Sequence, residues 1–229
     1  MPQIRAVVFD MDGLMFNSEE AYIEVGSRLL RRRGHEFTSE LKNLMMGLQS
    51  RQGFELVIRR LGLTDTVDQL LEESDREYLG ILREWIRPMP GLMNLLDALE
   101  TAGIPKAIAT SSSLQLAIAS LSEFNLQGRF AFILAAEDIR QGKPHPEIYR
   151  TAAARLNVPP AEVLVLEDSE NGCRSAVAAG TFTVAVPADH SREQDFSDVA
   201  LIIDSLADPR LYAVLGIPAP DATPSGINT

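Results

Sequence analysis

One cysteine, Cys173, is present in 229 residues, so no disulfide can form within the chain. That usage fits a reducing compartment. Long apolar runs are missing too: stretches such as 131–136 and 163–166 are strand-sized, far short of the roughly 20 residues that cross a bilayer. The opening Met1-Pro2-Gln3-Ile4-Arg5 lacks the layout of a signal peptide, and a cytoplasmic location is expected. Nor is there an excess of positive charge. Lys and Arg number 21 against 32 Asp and Glu, a formal charge of −11, which argues against charge-driven binding to nucleic acid or anionic membrane.

What is present reads as an ordinary globular protein, 45% hydrophobic and 23% charged, long enough for one large domain or a core with a smaller one. Cys173 lies in Asn171-Gly172-Cys173-Arg174-Ser175-Ala176, the opening turns of an expected helix. No base is indicated for it, so it is read as a small packing residue. Residues 4–10 form a β-branched, apolar run that stops at an acidic turn, Met11-Asp12-Gly13, as a buried parallel strand does. From 18 to about 87 apolar residues recur at helical spacing instead, as in Leu41, Leu44, Met45, Leu48 and Phe54, Val57, Ile58, Leu61. This is a block of four helices without a convincing strand.

Pro88-Met89-Pro90-Gly91 closes the block, and an alternating pattern follows. Helices are expected at 92–102, 113–124, 146–156 and 171–179, with strands at 106–110, 132–135, 163–167, 183–186 and 201–204. Strands separated by helices of this length imply βαβ units on a parallel sheet. The expected fold class is α/β, a Rossmann-like doubly wound parallel sheet core with an inserted all-helical domain. Residues 1–16 and 88–215 would form the core, 17–87 the helical insertion, and 216–229, rich in Pro, Ser and Gly, a loosely ordered tail.

In open sheets of this kind ligands bind outside the carboxyl ends of the strands. Asp10 and Asp12, Thr110 and Ser111, and Glu167 and Asp168 stand at those ends, and Lys143 in a loop before a helix. Asp10, Glu167 and Asp168 with nearby carbonyls make the hard oxygen set that Mg²⁺ prefers. A cation would relieve the repulsion among them and attract a phosphate oxygen. Lys143 adds a second positive point, and the Thr110 hydroxyl can donate to the remaining oxygens. A carboxylate in line with phosphorus can act as a nucleophile. A second one two residues on, Asp12, could protonate the leaving group and then activate water.

Four segments together resemble the haloacid dehalogenase superfamily. They are Asp10-Met11-Asp12-Gly13-Leu14 with Asn17-Ser18-Glu19, then Ala109-Thr110-Ser111-Ser112-Ser113, then Gly142-Lys143-Pro144-His145-Pro146-Glu147, then Leu166-Glu167-Asp168-Ser169-Glu170-Asn171-Gly172. The likeness spans residues 4 to about 187, and the helical block matches the family's cap domain. It implies Asp10 as nucleophile, Asp12 as general acid/base, Thr110 on the transferring group, and Lys143 holding its charge and orienting Asp10. It also implies a Mg²⁺ site of Asp10, Asp168, the Asp12 carbonyl and Glu167. True dehalogenases and phosphonate-cleaving members lack an acid at the position of Asp12, so its presence favours phosphoryl transfer.

Within the superfamily the chain is most similar to the β-phosphoglucomutase-like subgroup of sugar phosphatases and mutases. Tyr22 stands where the mutases carry a histidine. Met46-Gly47-Leu48-Gln49-Ser50-Arg51 fits their substrate loop only with a one-residue shift, and Asn17 replaces the usual Asp. The first two departures favour hydrolysis over mutase chemistry. The expected partner is a small phosphorylated metabolite, such as a sugar phosphate or a phosphoglycolate-like compound, with Arg51 and Glu20 as cap contacts. His145 and His190 read as surface loop residues, Arg31-Arg32-Arg33 as a solvated helix end, and Met45, Met46 and Met89 as packing. The rival readings are a phosphomutase, and a phospho-accepting receiver or idle binding module. Receivers are about half this length and lack the helical insertion, and Asp12 argues against an idle module.

Overall fold

Strand β1, Ala6–Phe9, is buried along its whole length, as its unbroken apolar sequence requires. In the computed structural model, which describes residues 3–45 and 50–219, it lies at the centre of a six-stranded sheet. The other strands are β2 (Lys106–Ala109), β3 (Ile133–Leu134), β4 (Val163–Glu167), β5 (Phe182–Ala185) and β6 (Leu201–Ile202). Their order is β3-β2-β1-β4-β5-β6, every pair parallel. Phe9 pairs with Ile108 on one side and Leu166 on the other. The order runs outward from β1 to β3, then resumes across β1 at β4. That reversal leaves a crevice at the carboxyl ends of β1 and β4, where ligands bind in doubly wound sheets.

Because successive side chains alternate across a strand, β1 feeds two cores. Val7 and Phe9 join Ile108, Leu164 and Leu166 on one face, against α5 (Leu92–Thr101), α6 (Leu114–Glu123) and α9 (Pro209–Leu215). Ala6 and Val8 join Ala109, Val163 and Val165 on the other, against α7 (Glu147–Leu156) and α8 (Glu170–Ala179). Helices on both faces of a parallel sheet are what the sequence pattern predicted. Helix α9 was not anticipated. Seven residues give too little periodicity, and its signals are the Asp208 cap, Pro209 in its first turn and Gly216 at its end. Ile217, just past the expected start of the loose tail, packs against the core.

Between β1 and α5 the described residues make four helices, α1 (Ser18–Arg31), α2 (Ser39–Met45), α3 (Ser50–Leu61) and α4 (Val67–Trp85). Helix α4 opens with a capping box: Thr66 accepts from the Gln69 amide, and the Gln69 side chain accepts from the Thr66 amide. Val25 and Leu29 of α1 and Leu70 and Ile81 of α4 are buried, each stabilising by about 1.5–3 kcal/mol. The two passages into and out of this block run side by side. Asn17 N–H donates to Arg87 O (3.1 Å), Arg87 N–H to Asn17 Oδ1 (2.6 Å), and Met89 N–H to Met15 O (2.8 Å). Residues 46–49, and with them Met46, Gly47, Leu48 and Gln49, lie outside the described residues, as does the tail from 220.

The arginine run is not simply solvated, which corrects the sequence reading. Arg33, with 16% of its side chain exposed, donates to both oxygens of Asp65 (3.1 and 2.7 Å) and to Glu73 (2.6 Å), and Arg32 reaches Glu73 and Glu77. Three segments are thereby tied at one end of the block. Hydrogen bonds from Arg33 hold the Asp65 and Glu73 carboxyls below their ordinary range. Depressed carboxyl values add stability that is present above the unfolded value near 4 and is lost as pH falls through the folded value. Arg33→Ala is therefore expected to cost about 1 kcal/mol at pH 7 in urea unfolding, and its difference from wild type to shrink as pH falls below about 4.

Candidate active site

Asp10 directly follows β1, and Glu167 and Asp168 end and follow β4, so the parallel register brings three carboxylates to one edge. Their oxygens lie within 4.8 Å of one another, and all three residues are buried. One ammonium answers them. Lys143, with 7% of its side chain exposed, donates to Asp10 Oδ1 (2.5 Å), Glu167 Oε1 (2.7 Å) and the Ala109 carbonyl (3.1 Å). It also sits 5.1 Å from the centre of the Tyr149 ring. Tyr149, from α7, donates its hydroxyl to the same Glu167 oxygen (2.5 Å). The other oxygen of Glu167 accepts from the Asp168 amide (3.2 Å) and the Ser169 hydroxyl (3.1 Å).

Asp12 is held differently. Its Oδ2 accepts from the hydroxyls of Thr110 (3.2 Å) and Ser112 (2.7 Å), and its Oδ1 from Tyr22 at 3.5 Å. The Tyr22 and Ser112 hydroxyls are 3.1 Å apart, and the Tyr22 ring stacks on Tyr78 of α4. Asp12 therefore faces neutral donors, and its carboxylate stands outside the three-carboxylate cluster.

The charges in the cluster are poorly compensated. Burial pushes Asp10 well above the usual carboxylate range; Lys143 opposes this, and Glu167, Asp168 and Asp12 add to it. Burial raises Asp168 to about 6, with His190 opposing. Burial disfavours the charge on Lys143, yet Asp10 and Glu167 outweigh it and keep the ammonium protonated. Three buried carboxylates around one ammonium form a group that could hold a further cation, and oxygen donors suit a hard one such as Mg²⁺.

Asp10, Asp12, Thr110, Lys143, Glu167 and Asp168 are thus brought together. Ser111 is exposed, and the neighbouring Ser112 reaches Asp12. In a run of three serines the sequence offered no means of choosing. Arg51 is exposed and pairs with Asp68 at 2.6 Å. Glu20 is exposed on the wall of a cleft of about 480 Å³ that Gly13, Lys42, Met89 and His190 also line. His145 is a part-exposed loop residue, as expected. His190 corrects the surface reading: its ring is 2.8 Å from Asp168 Oδ2, with 17% of the side chain exposed. Tyr149 gave no signal in sequence, because it lies on the apolar face of α7 with Ile148 and Ala152.

This geometry can be compared with known proteins. Residues 7–186 match the haloacid dehalogenase-like hydrolase family. The chain belongs to that family. It is 31% identical over 177 residues to the phosphorylated carbohydrates phosphatase of Thermotoga maritima, covering 77% of this chain and 82% of that protein. It is 29% identical over 229 residues to protein CbbY of Cereibacter sphaeroides, covering 96% and 100%. The crystal structure of CbbY from Rhodobacter sphaeroides in complex with phosphate superposes with a TM-score of 0.84 at 26% identity, over 90% of this chain and 96% of that one. A mutant of that protein bound to xylulose-1,5-bisphosphate gives 0.81 at 25% identity, with the same coverage. The expectation of a phosphoric monoester hydrolase accords with the phosphatase among these relatives. Among the described residues, no helix is long and apolar enough to cross a membrane.

Two glycines let this haloacid dehalogenase-like hydrolase pack its carboxylates so closely. At Gly13, where φ is +80°, a Cβ would lie 2.2 Å from Asp168 Oδ2. At Gly172, in the first turn of α8, it would lie 1.9 Å from Glu167 Oε1 and 2.0 Å from the carboxyl carbon. Glu167 is fully buried and bound on both oxygens, so it cannot yield cheaply. Gly172→Ala is expected to lower stability by about 1–3 kcal/mol through overpacking, read as a lower urea midpoint with an unchanged slope, and to lower phosphatase activity as Glu167 and Lys143 shift.

Proposed function

We propose that this chain is a Mg²⁺-dependent phosphatase that hydrolyses a small phosphorylated metabolite, a sugar phosphate or phosphoglycolate-like compound, through an aspartyl-phosphate on Asp10. The observation that carries this reading is the contrast between two carboxylates two residues apart. Asp10 is pinned on one oxygen by Lys143, which leaves the other oxygen for attack on phosphorus. Asp12 is held by the hydroxyls of Thr110 and Ser112, which keep it oriented without an ion pair.

In the first step an Asp10 oxygen bonds to phosphorus, the ester bond breaks, and the leaving oxygen takes a proton from Asp12. In the second, Asp12 accepts a proton from water as the water oxygen attacks phosphorus. The Asp10–phosphorus bond then breaks and inorganic phosphate leaves. Lys143 keeps Asp10 aimed and balances charge on the phosphoryl oxygens, and the Thr110 hydroxyl would turn from Asp12 to donate to them. Asp10 and Asp168, with Glu167 beside them and the Asp12 carbonyl completing the set, would hold the Mg²⁺. A bound cation supplies charge neutralisation where phosphate would otherwise meet carboxylate. Residues 17–87 act as a cap over this edge, joined through the paired passages at Asn17 and Arg87, and closure excludes bulk water. The similarity to a phosphorylated carbohydrates phosphatase and to CbbY supports a small phosphorylated substrate.

Asp10→Asn should abolish turnover while leaving the unfolding curve near that of wild type; wild-type-like activity in this variant would remove the mechanism. Chelation should stop hydrolysis and added Mg²⁺ restore it, and hydrolysis indifferent to chelator would remove the metal. Free-phosphate release across a panel of phosphorylated metabolites, with Asp10→Asn as control, should identify the substrate class. An isomerised sugar phosphate in place of free phosphate would mark a mutase.

A further inference from the structure

Of the three clustered carboxylates, two are oriented by the same cation: Asp10 and Glu167 both accept from Lys143. Asp168 is oriented by something else. The ring nitrogen Nε2 of His190 lies 2.8 Å from its Oδ2. The two share one hydrogen bond, in which the imidazole N–H donates when the carboxylate is ionised.

The loop that presents His190 is anchored on both sides. Ser191, fully buried, accepts from the Ala188 amide (3.2 Å) and donates its own amide to Ala188 O (3.0 Å). Gln194 donates to Ser191 O (2.9 Å), and its side chain accepts from the Glu170 amide at the start of α8 (2.8 Å). Gly13 leaves the room the ring needs, since a Cβ there would be 3.0 Å from His190 Cε1. The histidine is therefore held in place by its loop, and its exposed edge lines the cleft beside the carboxylates.

We propose that His190 is a positioning residue for Asp168: it fixes the plane of that carboxylate relative to Asp10 and so sets the affinity for a divalent cation. This rests on the metal reading above. Partners that hydrogen-bond a ligating carboxylate commonly change metal affinity or activity by about 10–100-fold when removed.

The test is calorimetric titration of Mn²⁺ and of Mg²⁺ into the full chain without substrate, for wild type, His190→Ala, His190→Gln and Asp168→Asn. His190→Ala should weaken Mn²⁺ binding by about 10-fold or more. His190→Gln, whose amide can donate at similar reach, should bind between Ala and wild type. In activity assays the Mg²⁺ concentration for half-maximal rate should rise in the same order, with kcat at saturating Mg²⁺ recovering toward wild type. Cation binding by His190→Ala equal to or tighter than wild type, with none by Asp168→Asn, would overturn the role of His190 and leave the metal site standing. Binding by Asp168→Asn as tight as wild type would instead remove the metal reading itself.

Discussion

Lys143 carries its charge into a place water barely reaches, and three acceptors on three neighbouring strand ends keep it there: the Ala109 carbonyl at the end of β2, Asp10 after β1 and Glu167 on β4. A buried ammonium without partners costs several kcal/mol, and so does each buried carboxylate. The cheapest arrangement is the one in which they meet, and they meet only if β2, β1 and β4 lie side by side in parallel register. The register pairs Phe9 with Ile108 and with Leu166, which brings all three acceptors to one level. The interaction that aims Asp10 thus also depends on the central sheet being correctly assembled. Tyr149 and the amide and hydroxyl donors on Glu167 complete it, because a half-satisfied buried network would be worse than an apolar one.

The same edge gives two aspartates separate environments by a simple device. Asp10 continues directly from a buried strand and inherits its burial. Asp12, two residues later, has turned toward the loop after β2, where Thr110 and Ser112 supply hydroxyls. Desolvation and three like charges act on Asp10, while neutral donors act on Asp12. Groups so close in sequence acquire different surroundings through the turn between them, and Gly13 follows at once because Asp168 occupies the space a side chain would take.

Much of this was legible in the residues. Buried parallel strands announce themselves as unbroken apolar runs, and every strand observed falls within about two residues of its expected bounds. The charged residues at the strand ends could be named because topology alone sends those ends to one crevice. The rest was hidden for physical reasons. Tyr149 reads as core because it is core, and only its hydroxyl has a task. Ser112 and Ser111 are indistinguishable until the backbone of the loop decides which one turns inward. His190 comes from a loop without periodicity, 22 residues after Asp168, and no spacing rule connects them. Arg33 looked like one of three solvated charges, and its partners Asp65 and Glu73 are more than 30 residues away.

An acidic chain that acts on an anion must concentrate its positive charge, and the two arginine and lysine arrangements here show how differently that charge is spent. Arg32 and Arg33 are saturated by Glu73, Glu77 and Asp65 and hold the helical block together. Lys143 is outnumbered by the carboxylates around it. With more carboxylate than cation and little water, the carboxyls of Asp10 and Asp168 titrate above the ordinary range. A divalent cation bound there would compete with protons for the same oxygens, so its affinity would be linked to protonation. The arrangement therefore holds a repulsion that a bound cation would relieve. Beneath it β1 and β4 are buried along their whole length, and that apolar burial stabilises the sheet edge that carries the carboxylates.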